Sequence, residues 1–166
     1  RNQFSHVIDI APTVLEAAGI TEPTFVNGVR QVPMQGTSLM YAFDNQDAEE
    51  KHSVQYFEII GNRAIYSNGW LARATVKLPW ENEKLNEIKD DTGWQLFNTQ
   101  EDFSLAHDLS GRFPDRLEAM KDQFVKEAVE NGAFPLDDRL LERLLPEVAG
   151  RPTLMGCLLY TSDAAD

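Results

Sequence analysis

From Val7 to Ile20 the apolar residues Ile10, Val14, Leu15 and Ala18 recur at helical spacing, which predicts a helix. Asp9 is placed to cap it, Pro12 fits its first turn, and Gly19 supplies a left-handed stop. Ile20 to Gly36 carries two prolines and two glycines and reads as an extended connector without a core face of its own. Gly36 to Phe43 suits a short turn or helix. Asp44 to Lys51 is a polar loop in which Glu49 and Glu50 read as a solvated pair. From Ser53 the period changes. Val54, Tyr56, Phe57, Ile59 and Ile60 predict a strand, Gly61-Asn62 punctuates it, and Arg63 to Ser67 resumes as a second strand. Asn68-Gly69 then predicts a type I′ turn, since both central residues must take positive φ, and Trp70 to Lys77 is the return strand.

Pro79 to Gly93 is a charged, proline-bounded excursion before a short fourth strand at Trp94 to Phe97. Phe103 to Gly111 is loop-like. Pro114 opens a helix whose stripe of Leu117, Met120, Phe124 and Ala128 suits the covering of one sheet face, with Glu118, Lys121, Asp122 and Lys126 outside the stripe and Gly132 at its end. A second helical pattern, Leu136, Leu140, Leu141, Leu144 and Leu145, runs to Pro146. Together these elements make an α+β chain: one helix, a small four-stranded antiparallel sheet, and a long helix packed on it.

Length and composition narrow the class. The chain has 166 residues, 42% of them hydrophobic and 25% charged, which suits one globular domain with a real core. A net charge of -12 argues against a general nucleic-acid or membrane-surface binder, because either polyanion would be repelled over most of the surface. No stretch is long and apolar enough to span a membrane. Cys157 is the only cysteine, which excludes an internal disulfide and a cysteine-based zinc site and leaves the redox compartment undecided.

Candidate chemistry is sparse. His6, His52 and His107 build no metal site by spacing alone; His6 and Asp9 stand one turn apart, but a helix cap beside a half-buried histidine explains them, and His52 and His107 read as surface residues. The pairs Asp90-Asp91 and Asp137-Asp138 point apart, and the second is explained by helix-start charge. The common nucleophile-elbow and phosphate-cradle motifs are absent. Trp70, Trp80 and Trp94 with Tyr56 and Tyr66 would suit a stacking pocket for a sugar or aryl group, although their strand spacing favours packing. No complete catalytic constellation is present.

Particular strings are more informative as a set. His6-Val-Ile-Asp-Ile-Ala-Pro-Thr-Val-Leu-Glu-Ala-Ala-Gly-Ile20, with its Asp9, Pro12 and Thr13, resembles the helix that sulfatases of the alkaline-phosphatase superfamily carry after their last active-site segment, and Gln35-Gly-Thr-Ser-Leu39 resembles the step that follows. Gln55-Tyr-Phe-Glu58, Gly61-Asn-Arg-Ala-Ile65 and Asn68-Gly-Trp70 resemble the meander of bacterial arylsulfatases. Trp94-Gln-Leu-Phe-Asn98, Glu101-Asp102, Asp108-Leu109 and Leu136-Asp-Asp-Arg139 continue the likeness, with Phe97-Asn98 standing for Tyr-Asp, Phe103 for a proline and Asp108 for an asparagine. The likeness covers residues 3 to 150.

The resemblance implies the C-terminal part of an arylsulfatase fold. Residues 1–45 would be the tail of the catalytic domain and a connector, residues 46–150 the sheet-and-helix subdomain, and residues 151–166 a tail whose last ten residues, Cys157 to Asp166, resemble a sequencing artefact. Sulfatases of this type hydrolyse small-molecule sulfate esters with a formylglycine made within a Cys-x-Pro-x-Arg motif and with calcium, because an anionic, poorly electrophilic sulfur needs charge neutralisation as well as a strong nucleophile. Cys157 is followed by Leu158, Leu159 and Tyr160, so the motif is not here. The nucleophile and the calcium ligands would belong to a missing N-terminal catalytic part, a strongly basic one being expected. No catalytic or metal residue is carried onto this chain, which alone is expected to be inactive, to bind no metal, and to be marginally stable or aggregation-prone. Tyr56, Arg63 and Trp70 are the positions where the subdomain would contribute to a substrate rim. A phosphonate or phosphodiester hydrolase of the same superfamily and a noncatalytic sugar- or aryl-binding module remain open alternatives.

Overall fold

The computed structural model describes residues 2–76, 93–134 and 136. The second leucine-rich pattern beyond Leu136, the Pro79 to Gly93 excursion up to residue 92, Trp80, both aspartate pairs and the tail with Cys157 lie outside the described residues. In chain order the elements are a 3-10 turn Val7–Asp9, α1 (Ile10–Ala17), β1 (Phe25–Val26), β2 (Val29–Arg30), a 3-10 turn Met40–Ala42, β3 (Val54–Ile59), β4 (Asn62–Ser67), β5 (Trp70–Ala74), β6 (Trp94–Asn98) and α2 (Pro114–Glu130). The four longer strands form an antiparallel sheet in the order β3-β4-β5-β6. This is the expected α+β meander.

Tight turns set the register of that meander. Asn68 and Gly69 take φ of 48° and 82°, as the type I′ turn requires. The preceding turn falls one residue earlier than its sequence signal: Ile60 and Gly61 are the central pair, at φ 53° and 80°, and Asn62 begins β4 instead of closing the turn. A β-branched residue in the left-handed region is strained. Ile60 is nonetheless buried, and the Glu58 carboxylate accepts the Gly61 N–H at 2.9 Å. The connector also holds a hairpin that composition alone did not suggest. Asn27 and Gly28, at φ 49° and 79°, join β1 to β2, with Phe25 opposite Arg30 and Val26 opposite Val29.

The chain divides into two compact units, Arg1–Gln55 with Tyr66–Leu71 and Phe97–His107, and Tyr56–Ile65 with Ala72–Leu96 and Asp108–Asp166. In the second, α2 buries Met120, Phe124 and Ala128, three members of the expected stripe. Pro114 opens it, and its end is a Schellman arrangement in which Gly132 N–H bonds Val129 C=O and Ala133 N–H bonds Ala128 C=O. Phe124 is the anchor: Tyr56 on β3 and Trp94 on β6 both stand edge-on to its ring, at centroid distances of 6.3 and 5.7 Å. At Leu96 the outer edge of β6 is paired by its own chain. Asp108 accepts the Leu96 N–H, and Leu109 N–H bonds the Leu96 carbonyl at 2.7 Å, which removes free edge groups that would otherwise recruit another strand.

Candidate functional site

The first unit is organised around one carboxylate. Asp9 does not cap α1 with its side chain; it is the last residue of the preceding 3-10 turn, and its Oδ2 reaches back to accept the His6 N–H at 2.7 Å. Its Oδ1 accepts the Thr37 N–H at 2.7 Å, and His52 Nδ1 lies 2.8 Å from both oxygens. Asp9 is completely buried. Burial alone would push the carboxyl up, but the hydrogen bonds from His6, Thr37 and His52 outweigh it and hold Asp9 below the ordinary aspartate range.

Thr13 extends the junction. Its hydroxyl donates to the Asp9 carbonyl at 2.6 Å and accepts the Leu39 N–H at 2.9 Å. The two sequence strings Asp9-x-x-Pro12-Thr13 and Gly36-Thr37-Ser38-Leu39 are therefore two halves of one joint. Gly36 lets them meet: a Cβ there would run into the Ile8 carbonyl and lie 2.9 Å from the Asp9 backbone nitrogen.

His52 and Glu50 depart from the sequence expectation. His52 is 6% exposed, not a surface residue, because its ring is clamped between Asp9 and Gln55, whose Oε1 is 3.1 Å from Nε2, with the Phe4 ring edge-on at 5.2 Å. With Asp9 ionised, Nδ1 carries the proton of that bond. Glu50 is likewise not a solvated partner of Glu49. It accepts the Phe4 N–H at 2.8 Å and the Tyr66 hydroxyl at 2.8 and 3.0 Å, while Phe4 and Tyr66 stack at 3.9 Å. Burial first, and the Glu50 hydrogen bond and charge second, push the Tyr66 hydroxyl above its ordinary range. No local pattern announces either residue. Their partners lie 43 and 46 positions away in the chain for the Asp9–His52 and Phe4–Glu50 contacts, a separation that periodicity does not reach.

His6 is half-buried at the helix entrance and His107 is exposed, both as expected. His107 bonds Asp102 through its backbone N–H at 2.8 Å, and the Ser104 hydroxyl and that N–H draw the Asp102 carboxyl down to about 2. This is a self-satisfied loop, in which serine and histidine both serve the aspartate and neither activates the other. Of the rim positions, Tyr56 and Arg63 share the second unit and Trp70 lies in the first. Arg63 is 4% exposed with its guanidinium 5.4 Å from the centre of the Trp94 ring, a packed cation–π contact; Tyr56 and Trp70 are half-buried.

Chemically, the Asp9 junction is a positioning joint. Both its oxygens face N–H donors, an arrangement that repels a cation, so its donor set does not fit calcium. Among the described residues no three His, Cys, Asp or Glu side chains converge on a common point. No described helix is long and apolar enough to cross a membrane.

No protein-family model matches the chain. The chain is similar to Ps i-CgsB, with a TM-score of 0.54 and 21% identity over 93% of this chain and 31% of that one. It is also similar to the structure of Ps i-CgsB in complex with k-i-k-neocarrahexaose, with a TM-score of 0.50 and 22% identity over 90% of this chain and 30% of that one. At these identities the likeness is one of fold. The chain spans about a third of the length of the structures it matches.

Proposed function

We propose that the chain is the C-terminal part of a sulfatase of arylsulfatase type, acting on sulfate esters of sugars or aryl groups. The carrying observation is the fold it shares, over 93% of its length, with Ps i-CgsB, a sulfatase-like structure. The ordered strings from His6 to Arg139 support the same assignment from the sequence side. A carrageenan oligosaccharide in one neighbour supports a sulfated sugar as the substrate class.

In this proposal the formylglycine nucleophile and calcium come from outside the chain, since Cys157 does not stand in a Cys-x-Pro-x-Arg motif and the Asp9 carboxylate is closed by N–H donors. Residues 1–45 close the catalytic domain and residues 46–150 brace it. The Asp9 junction holds the helix and the Gly36–Leu39 step in fixed register. Tyr56 and Trp70 are the rim positions, and Arg63 contributes through the Trp94 indole it packs against. The test is sulfate release by the complete product of the parent reading frame, with 4-nitrophenyl sulfate and neocarrahexaose as substrates and the 166-residue chain as control. Release by the complete product and none by the control is expected. Turnover of a phosphonate or phosphodiester but not of either sulfate would replace the reaction, and no turnover of any of them would leave a binding module.

A further inference from the structure

The sequence holds three Asn-Gly pairs, at Asn27-Gly28, Asn68-Gly69 and Asn131-Gly132, and the fold fastens two of them. Asn27-Gly28 and Asn68-Gly69 stand in the same kind of turn, with φ of 49° and 79° in the first and 48° and 82° in the second. The Asn68 turn is pinned on both sides. The Asn68 N–H donates to the Ser53 carbonyl at 2.8 Å, its carboxamide donates to the Ser67 hydroxyl at 3.3 Å, and the Gly69 carbonyl accepts the Thr99 N–H and hydroxyl at 2.9 and 2.8 Å. Space is short there too, since a Cβ on Gly69 would lie 2.8 Å from the Gln100 side chain. Asn131 is held by its carboxamide, which donates to the Glu127 carbonyl at 2.8 Å, while the Gly132 N–H is given to the Val129 carbonyl at 3.2 Å.

The first pair has none of these restraints. Asn27 and Gly28 are exposed, and among the described residues neither the Asn27 carboxamide nor the Gly28 N–H meets a hydrogen-bond partner. Nothing lies within 4 Å of a Cβ built on Gly28. The strands that flank the turn are two residues long, and Phe25, Val26 and Val29 are exposed, so little burial opposes opening of the hairpin.

We propose that Asn27-Gly28 is a self-modification site, at which Asn27 deamidates through a succinimide while the fold protects the other two pairs. The Gly28 nitrogen gives its proton to hydroxide and bonds to the Asn27 Cγ, closing the succinimide ring. The Cγ–Nδ2 bond breaks, and the nitrogen takes a proton from water and leaves as ammonia. Water then opens the ring at either carbonyl, which leaves aspartate or isoaspartate at position 27. Nothing is oxidised or reduced, and one water is taken up for each ammonia released. Glycine suits the attack because no side chain shields its nitrogen, and nucleophile and target are neighbours in one chain that need only a rotation about Asn27 to meet. At Asn27 that rotation disturbs a two-residue hairpin, whereas at Asn68 and Asn131 it must also break the bonds that pin the pair. Either product adds a negative charge to a chain of net charge -12. The isoaspartate form also lengthens the main chain inside the turn, which no longer suits the pairing of Val26 with Val29. The site is independent of the reaction assigned to the parent protein.

Ageing the 166-residue chain in mildly alkaline heavy-oxygen water, with a parallel sample in urea, tests this. Tryptic peptide mapping by mass spectrometry follows the heavy oxygen incorporated at each pair, and the three pairs fall on separate peptides. In the folded chain Asn27 is expected to gain label at least about tenfold faster than Asn68 or Asn131, because each of those must first lose its pinning hydrogen bonds. In urea the three rates are expected to converge. Labelling of Asn68 or Asn131 as fast as Asn27 in the folded chain, or no labelling of Asn27 there, would overturn the proposal. So would an equal lead of Asn27 in urea, which would assign the difference to the residues flanking each pair and not to the fold.

Discussion

The two units are held together by different physics. In the second, Phe124 meets Tyr56 and Trp94 edge-on and the buried residues of α2 form one apolar stripe, so order comes from area removed from water. In the first, a buried carboxylate collects N–H donors from three separate stretches of chain, at residues 6, 37 and 52. Apolar packing tolerates substitution by shape and volume, whereas a saturated polar joint tolerates almost none, since each lost partner leaves a buried group unsatisfied. The contrast suits a scaffold whose sheet and helix need only cohere, while its first residues must hold a fixed register.

The largest effect should come from Phe124→Ala. It removes the ring on which Tyr56 and Trp94 both rest and leaves a cavity, at a cost of about 4 kcal/mol. Urea unfolding followed by far-ultraviolet circular dichroism measures it; a loss below about 1 kcal/mol would show that the second unit is not anchored there. Gly36→Ala comes next. One methyl group, harmless in most loops, here meets backbone atoms of Ile8 and Asp9 that no rotamer change can move, so the expected cost is roughly 3 kcal/mol. Gly111→Ala, where an added Cβ meets nothing within 4 Å, is the matched control and should be near neutral. If both alanines behave alike, the joint is looser than the distances indicate.

How much of this was legible in the sequence follows the same division. The meander, its Asn68-Gly69 turn and the stripe of α2 were readable because period and turn chemistry are local. The Asn27-Gly28 hairpin carried the same turn signal, but its strands are only two residues long and show no alternation to read. The polar joint was readable only as strings of unexplained residues. Asp9, Pro12, Thr13, Gly36 and Leu39 stood out by resemblance, yet nothing local says that Thr13 receives Leu39 or that Gly36 is small to let Thr37 reach Asp9. His52 was misplaced for a related reason: a histidine in a charged loop reads as solvated until the carboxylate 43 residues earlier is brought to it.

The smallest of the three effects gives the sharpest test, because its pH dependence has a fixed sign. Asp9→Asn keeps the shape of the side chain but replaces one acceptor oxygen with an amide that faces N–H donors, at an expected cost of about 2 kcal/mol near neutral pH. The native carboxyl is held below its ordinary value, so its contribution is complete above the unfolded aspartate range near about 4 and is lost as pH falls through the lower folded value. The native chain should therefore lose stability over that acidic window faster than the Asn variant, and the gap between them should close as the carboxyl is protonated. Asp102 titrates in the same acidic region, but it is present in both proteins and cancels in the difference. A gap that stays constant from pH 7 down to pH 2 would mean that the variant's cost is steric and that the charge of Asp9 does not hold the joint.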